Sequence, residues 1–277
     1  MRKWYYFLFL SLILFYTPDL KALNNQDYLD YVAKADSLGK EENWIEAELM
    51  LRKALRSEPA NPGNQMLLAN MGMILTAQGK YGDAIQHLDA ALIMNPGSFL
   101  AYKNRGITYS AMKMMDEALD DFSHALSIDS LDNDVRCMRA TVYCFTKDFE
   151  KAMSDYLLVL EKDRSNASAL EGMANCCLAK GRHDNAIPYL NRLIEVKPEP
   201  EHYFTRGLTF SNLGRFTEAS EDVSTGLLLD PGNGNLWLVK AYIEKTTYRY
   251  NEAKTSLQKA RKYGCDYELE NQLLPDM

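Results

Sequence analysis

One alanine recurs along almost the whole chain, at Ala47, Ala84, Ala118, Ala152, Ala186, Ala219 and Ala253, with steps of 37, 34, 34, 34, 33 and 34 residues. A period of about 34 residues accommodates two helices and two turns, and such a unit buries its apolar side only by stacking on its neighbours. In each copy the alanine follows a short turn, as in Gly79-Lys80-Tyr81-Gly82-Asp83-Ala84 and Gly214-Arg215-Phe216-Thr217-Glu218-Ala219. It opens an amphipathic helix of about four turns.

Numbering each copy so that this alanine is position 20 aligns the other recurring residues. Position 8 is small throughout: Ala35, Gly72, Gly106, Ala140, Ala174, Gly207 and Ala241. Position 24 is large and apolar: Leu51, Leu88, Phe122, Tyr156, Leu190, Val223 and Leu257. Position 4 holds Tyr31, Leu68, Tyr102, Arg136, Leu170, Tyr203 and Trp237, and position 11 holds Leu38, Leu75, Tyr109, Tyr143, Cys177, Phe210 and Glu244. Two antiparallel helices on a short turn approach closely only where side chains do not hold them apart, which explains the small columns; the large ones fill the space beside them. Position 27 is small where the next hairpin leans on it (Ala54, Ala91, Ala125, Ala260), and Pro59, Pro96, Pro198 and Pro231 at position 32 stop the second helix.

With these columns the chain closely resembles the tetratricopeptide repeat family over about residues 28 to 265. The resemblance implies an all-α, right-handed superhelical solenoid of antiparallel helix hairpins whose first helices line a concave groove for peptides or partner helices. The domain reading is a signal peptide over 1–22, a first hairpin over 23–61, repeats two to seven over 62–265 and a capping helix over 266–277. In that last segment Gly264 suits a left-handed helix stop and Asp266 an N-cap. Several departures mark expected weak joints. Ser130 and Arg164 replace the terminal proline, and Val159, Leu193 and Gly226 depart from the small residues of position 27. Extra residues near Asn61-Pro62-Gly63-Asn64 leave room for the first hairpin to sit apart from the array. Pro188 falls inside a second helix and calls for a late start with Asn185 as the cap.

The first residues lie outside the repeat. Arg2 and Lys3 precede a 13-residue apolar run from Trp4 to Tyr16, closed by Thr17-Pro18-Asp19-Leu20-Lys21-Ala22. A membrane-spanning helix needs roughly 20 apolar residues, so the segment reads as a secretory signal cleaved after Ala22. The implied address is the bacterial periplasm, with an uncleaved membrane tether as the alternative and no stable membrane insertion once the signal is removed. At 47% apolar and 25% charged the chain is an ordinary folding sequence, and its formal charge of -7 becomes more negative without the basic leader. An acidic chain repels phosphate backbones and no basic stripe offsets this, so nucleic acid is not an expected partner.

Five cysteines, Cys137, Cys144, Cys176, Cys177 and Cys265, form no disulfide framework by their spacing. Cys137 and Cys144 would lie about 10 Å apart on one helix, and Cys176 and Cys177 are neighbours on another. They are expected to be free thiols serving as small apolar fillers. No Cys or His pair has ligand spacing, so no metal and no cofactor is expected, and no nucleophile, base and orienting group come together at helical spacing. His87, His124, His183 and His202 read as surface or boundary residues, His183-Asp184 as a turn, and Asp120-Asp121 and Glu221-Asp222 as solvent-facing acidic pairs.

By the family's arrangement, positions 2, 5, 9, 12 and 13 of each first helix face the groove. This implies partner-binding residues Met66, Ala69, Met73, Leu100, Lys103, Ile107, Cys137, Thr141, Phe145, Glu171, Asn175, Leu178, Phe204, Leu208, Leu238 and Tyr242. Members that hold a terminal carboxylate use basic residues where this chain has Val32 and Leu100. Asn70 alone matches, so that clamp is expected to be absent. The leading expectation is a non-enzymatic adaptor of the bacterial envelope that binds a peptide or partner protein in an apolar groove. A holdase for unfolded exported clients is the alternative, and an enzyme on a repeat scaffold the third reading.

Overall fold

The computed structural model describes residues 26–276, and these contain fifteen helices and no strand. The leader expected over 1–22 lies outside the described residues. The described residues divide into two compact units between Val142 and Tyr143. The first holds α1 (Gln26–Lys40), α2 (Trp44–Ser57), α3 (Asn64–Ala77), α4 (Tyr81–Met94), α5 (Phe99–Ala111), α6 (Met115–Ile128) and most of α7 (Asn133–Phe145). The second holds the end of α7, then α8 (Phe149–Lys162), α9 (Ala167–Ala179), α10 (His183–Val196), α11 (Pro200–Asn212), α12 (Phe216–Leu229), α13 (Gly234–Thr246), α14 (Tyr250–Lys262) and α15 (Tyr267–Leu273).

All seven hairpin turns are built alike. Position 15 has positive φ in each copy, as Glu42, Gly79, Lys113, Lys147, Gly181, Gly214 and Tyr248. The next amide reaches back to the carbonyl of position 11, from Asn43 to Leu38 through Arg249 to Glu244, at 2.8–2.9 Å. This left-handed helix stop satisfies carbonyls that the first helix leaves open and starts the second helix without help from a side chain. Only three copies spend a glycine there, and a left-handed non-glycine residue costs about 1–2 kcal/mol. Lys113→Gly and Lys147→Gly, both at exposed positions, are each expected to stabilise the protein by about 0.5–1 kcal/mol after the extra chain entropy of glycine is deducted. Urea melts check this, and an unchanged or lower midpoint in both variants would contradict it.

Four of the first helices, α5, α7, α9 and α13, start differently, on side-chain caps, while α3 and α11 begin after Gly63 and Glu199 without one. Ser98, Asp132, Asn166 and Asn233 accept from the amides of Ala101, Val135, Ala169 and Leu236 at 2.7–3.3 Å. Three residues earlier, Asn95, Asp129, Asp163 and Asp230 accept from Gly97, Leu131, Ser165 and Gly232 at 2.9–3.0 Å. These Asx turns close the junction with or without proline, so the joints at Ser130 and Arg164 are made like those at Pro96 and Pro231. In the sequence these turn and cap residues recur as Asx followed three residues later by Ser, Asn or Asp.

The alanines of positions 8 and 20 are all fully buried. In the first unit a Cβ on Gly72 would lie 2.3 Å from Leu88 Cγ, and one on Gly106 would lie 2.8 Å from Phe122 Cε1. Three expectations need correction. Gly226 is no departure at position 27, since a Cβ there would lie 2.7 Å from Leu236 Cδ1, and Val159 and Leu193 are buried at 0% and 1% exposure. The first hairpin does not sit apart. Asn64 Nδ2 donates to the carbonyls of Glu58 and Pro59, the Tyr28 hydroxyl meets Asn64 Oδ1 at 3.3 Å, and one apolar cluster runs from Tyr28 through Leu51 and Leu67 to Leu88. Finally, α10 starts at His183 with Pro188 inside it, and Asn185 is a first-turn residue rather than the cap. The preceding turn fixes the start through the Arg182 amide and Cys177 carbonyl. The first turn tightens to a bond from Asn185 to Arg182, three residues back, where Ala84, Ala118, Ala152, Ala219 and Ala253 bond four back.

Asp121 and Asp222 also depart from expectation, being 3% and 4% exposed rather than solvent-facing. Arg105 grips Asp121 with two parallel bonds of 2.8 Å and reaches Asp89, on the preceding hairpin, at 2.6 Å. In the second unit Arg206 grips Asp222 at 2.9 and 2.6 Å and reaches Asn191 at 2.8 Å. The hydrogen bonds to Asp121, against the cost of burial, push the Arg105 guanidinium further above its already high range. Each arginine thus ties its own two helices to the hairpin before it, by the fork geometry that suits guanidinium to carboxylate.

Candidate functional site

The first-helix face of the first unit is set by polar contacts between α3 and α5. Asn104 Nδ2 donates to the Ala69 carbonyl at 3.0 Å, and the hydroxyls of Thr76 and Thr108 meet at 2.7 Å, all buried. Both threonines also bond back four residues along their own helices, to the carbonyls of Gly72 and Asn104. With the register held this way, Met66 and Met73 on α3 and Leu100 and Ile107 on α5 are left half-buried. Each pair is seven residues apart, two helical turns along one face.

Other residues expected on this face are committed elsewhere. Lys103 is only 7% exposed, its ammonium 3.8 Å from Asp132 and 5.8 Å from the centre of the Phe99 ring. Ala69 is fully buried, Cys137 is 9% exposed, and Thr141 spends its hydroxyl on the Cys137 carbonyl at 2.9 Å. Val32 is buried, and Asn70 is buried with Nδ2 lacking a partner. The places where a carboxylate clamp needs cations therefore present none.

In the second unit Phe145 ends α7 at 70% exposure. Glu171 and Asn175 stand exposed one turn apart on α9, with Leu178 half-buried beyond them, and Phe204 and Leu208 are half-buried on α11. Leu238 does not belong to an open face. It is fully buried with Leu257, Ala260 and Leu274, while Tyr242, Leu269 and Leu273 pack against the same cluster. The chain end causes this: Asp266 caps α15 by accepting from the Leu269 amide at 2.9 Å, and Arg261 pairs with Glu270 at 2.6 Å.

The histidines divide. His124 stacks on Tyr102 with ring centres 5.0 Å apart, whereas His202 is buried, not a surface residue, with Nδ1 2.6 Å from the Lys197 carbonyl. His183 and Asp184 occupy the first turn of α10, where successive side chains diverge by about 100°. No group of three or more His, Cys, Asp or Glu among the described residues is arranged to hold a metal ion. None of their helices is long and apolar enough to cross a membrane.

Comparisons with known proteins agree with this geometry. Family models described as tetratricopeptide repeat match residues 99–130, 32–99 and 137–200, together more than half of the chain. The Hsp70-Hsp90 organizing protein of Triticum aestivum is 28% identical over 156 residues, taking in 56% of this chain and 25% of that protein. Tetratricopeptide repeat protein 6 of Homo sapiens is 26% identical over 68% of this chain and 37% of its own length. The chain thus spans only a quarter to about a third of these curated relatives. Among solved structures, a tetratricopeptide repeat protein from Parabacteroides merdae superposes with a TM-score of 0.65 at 25% identity, covering 91% of this chain and 98% of that one. YrrB, described as a TPR protein with an unusual peptide-binding site, shares the fold at a TM-score of 0.57 and 20% identity, over 69% of this chain and 97% of that one. The repeated left-handed turn, the buried small columns and the matched family models together make this chain a member of the tetratricopeptide repeat family, a helical scaffold for protein–protein interaction.

Proposed function

We propose that the chain is an exported, non-enzymatic adaptor of the bacterial envelope, and that the first-helix face of its first unit takes the apolar stripe of a partner helix or an extended peptide. The carrying observation is the set Met66, Met73, Leu100 and Ile107, four half-buried apolar side chains on two helices held in fixed register. Single exposed apolar residues need no explanation, whereas adjacent pairs at helical spacing fit the i, i+7 anchors of a docked segment. Export rests on the apolar run from Trp4 to Tyr16 and its polar close.

Crosslinking in living cells, followed by identification of the captured protein and titration with that protein purified, tests both parts. One saturable site is expected, weakened about tenfold or more by Ile107→Asp at unchanged helical content, because a buried apolar contact of about 1.5–3 kcal/mol gives way to a desolvated carboxylate. Undiminished affinity in the folded variant would move the site off this face, and indiscriminate binding of unfolded chains would mark a holdase instead. N-terminal sequencing of the adaptor recovered from the envelope is expected to start after Ala22; a mature protein starting at Met1 would refute cleavage.

A further inference from the structure

Two cysteines on different helices meet in the second unit. Cys144, half-buried in the last turn of α7, has its sulfur 3.2 Å from that of Cys176, buried on α9. That is about 1 Å longer than a disulfide bond of about 2.05 Å. The approach follows from the stack. Cys144 and Cys176 hold positions 12 and 10 of successive copies, the columns that bring the Thr76 and Thr108 hydroxyls together in the first unit, and both pairs are 32 residues apart in sequence. Cys177 belongs to a different environment, since its carbonyl receives the turn amide of Arg182 and its side chain points about 100° away from that of Cys176.

We propose that Cys144 and Cys176 form a reversible disulfide that staples the end of α7 to α9 across the junction of the fourth and fifth hairpins. The oxidant required is a disulfide donor, RS–SR, small or protein-borne. The Cys144 thiolate attacks one donor sulfur, forming Cys144–S–S–R and expelling RS⁻. Cys176 then loses its proton, and its thiolate attacks the Cys144 sulfur and expels the second RS⁻. Two electrons and the two thiol protons pass to the donor, which leaves as two RSH. This order follows from access and acidity. Cys144 is the more open of the two, and its thiol is held below the usual range by hydrogen bonding to Cys176, against the effect of burial and with help from Tyr156. Cys176 is shifted the other way by that same hydrogen bond and by burial. The thiolate is the attacking species, so Cys144, half-buried where Cys176 is buried, reacts first. No third ligand of metal-binding type joins the pair among the described residues, which leaves thiol exchange as its chemistry.

The test uses the full chain incubated with oxidised glutathione, then alkylated and weighed, beside a sample kept in dithiothreitol. Reduced protein is expected to carry five alkyl groups, and oxidised protein two fewer, with a Cys144–Cys176 crosslinked peptide on digestion and a melting temperature several degrees higher. Cys144→Ser and Cys176→Ser should each abolish the crosslink, and both should fold, because the same columns already accept hydroxyls at Thr76 and Thr108. In Cys176→Ser, Cys144 should retain a glutathionyl group. Five alkylated thiols after oxidation of the folded wild type, or a crosslink joining another pair, would overturn the proposal.

Discussion

Gly172→Leu is expected to destabilise the protein by about 3 kcal/mol or more. A Cβ at this position would lie 2.2 Å from Tyr156 Cζ and 2.4 Å from its Cε2, and the Tyr156 side chain is only 3% exposed. The ring has little room to retreat. Even Gly172→Ala, which in an open helix gains about 1 kcal/mol from propensity, should destabilise, because interiors at close-packed density absorb an added methyl only by shifting neighbours. Gly207→Ala is the contrast. Its Cβ would meet Asp222 Cβ at 3.3 Å and Val223 Cγ2 at 3.4 Å, so the change should stay within about 1 kcal/mol. Urea unfolding of the three variants decides the matter, and equal midpoints for Gly172→Ala and Gly207→Ala would show that Tyr156 does not set the spacing.

Asp121→Ala should cost about 1–3 kcal/mol, because it removes both bonds of the fork and leaves the largely buried Arg105 guanidinium only its contact with Asp89 at 2.6 Å. Asp222→Ala should do the same to Arg206 in the second unit. Asp120→Ala, one residue away and exposed, is expected to change stability by no more than about 0.5 kcal/mol. Replacing both partners, as in Arg105→Met with Asp121→Leu, should recover most of the loss, since an apolar pair leaves no buried charge behind. Calorimetric melts of the single and double variants check this. A double variant no more stable than Asp121→Ala would mean that the arginine contributes through its contacts with the Tyr102 and Tyr109 rings, whose centres lie 5.7 and 5.9 Å from its guanidinium carbon.

The candidate site was legible in outline only. The family register pointed to first-helix positions, and Met66, Met73, Leu100, Ile107, Phe145, Phe204 and Leu208 do retain exposed surface, whereas Leu238 is covered by the chain end and Lys103 is drawn to Asp132. Periodicity along one helix reports which of its sides meets the rest of the protein, but not what stands opposite. Asp120 and Asp121 lie about 100° apart on the helix, and a polar pair in the sequence does not show that the second is buried under an arginine.

The sequence by itself determined the number and length of the hairpins, the small columns at positions 8 and 20 and the place of each turn, because backbone stops and close helix approach restrict residue type locally in every copy. Only the tertiary structure decided that Gly172 faces Tyr156 while Gly207 faces the less crowded Asp222 and Val223, that Asp121 is buried under Arg105, and that Cys144 meets Cys176. The Gly172 and Cys144 contacts join different hairpins, whereas the Asp121–Arg105 pair joins the two helices of one, and in both cases the partners follow from the rotation and register of helix on helix, a quantity summed over many weak side-chain contacts and carried by no single column.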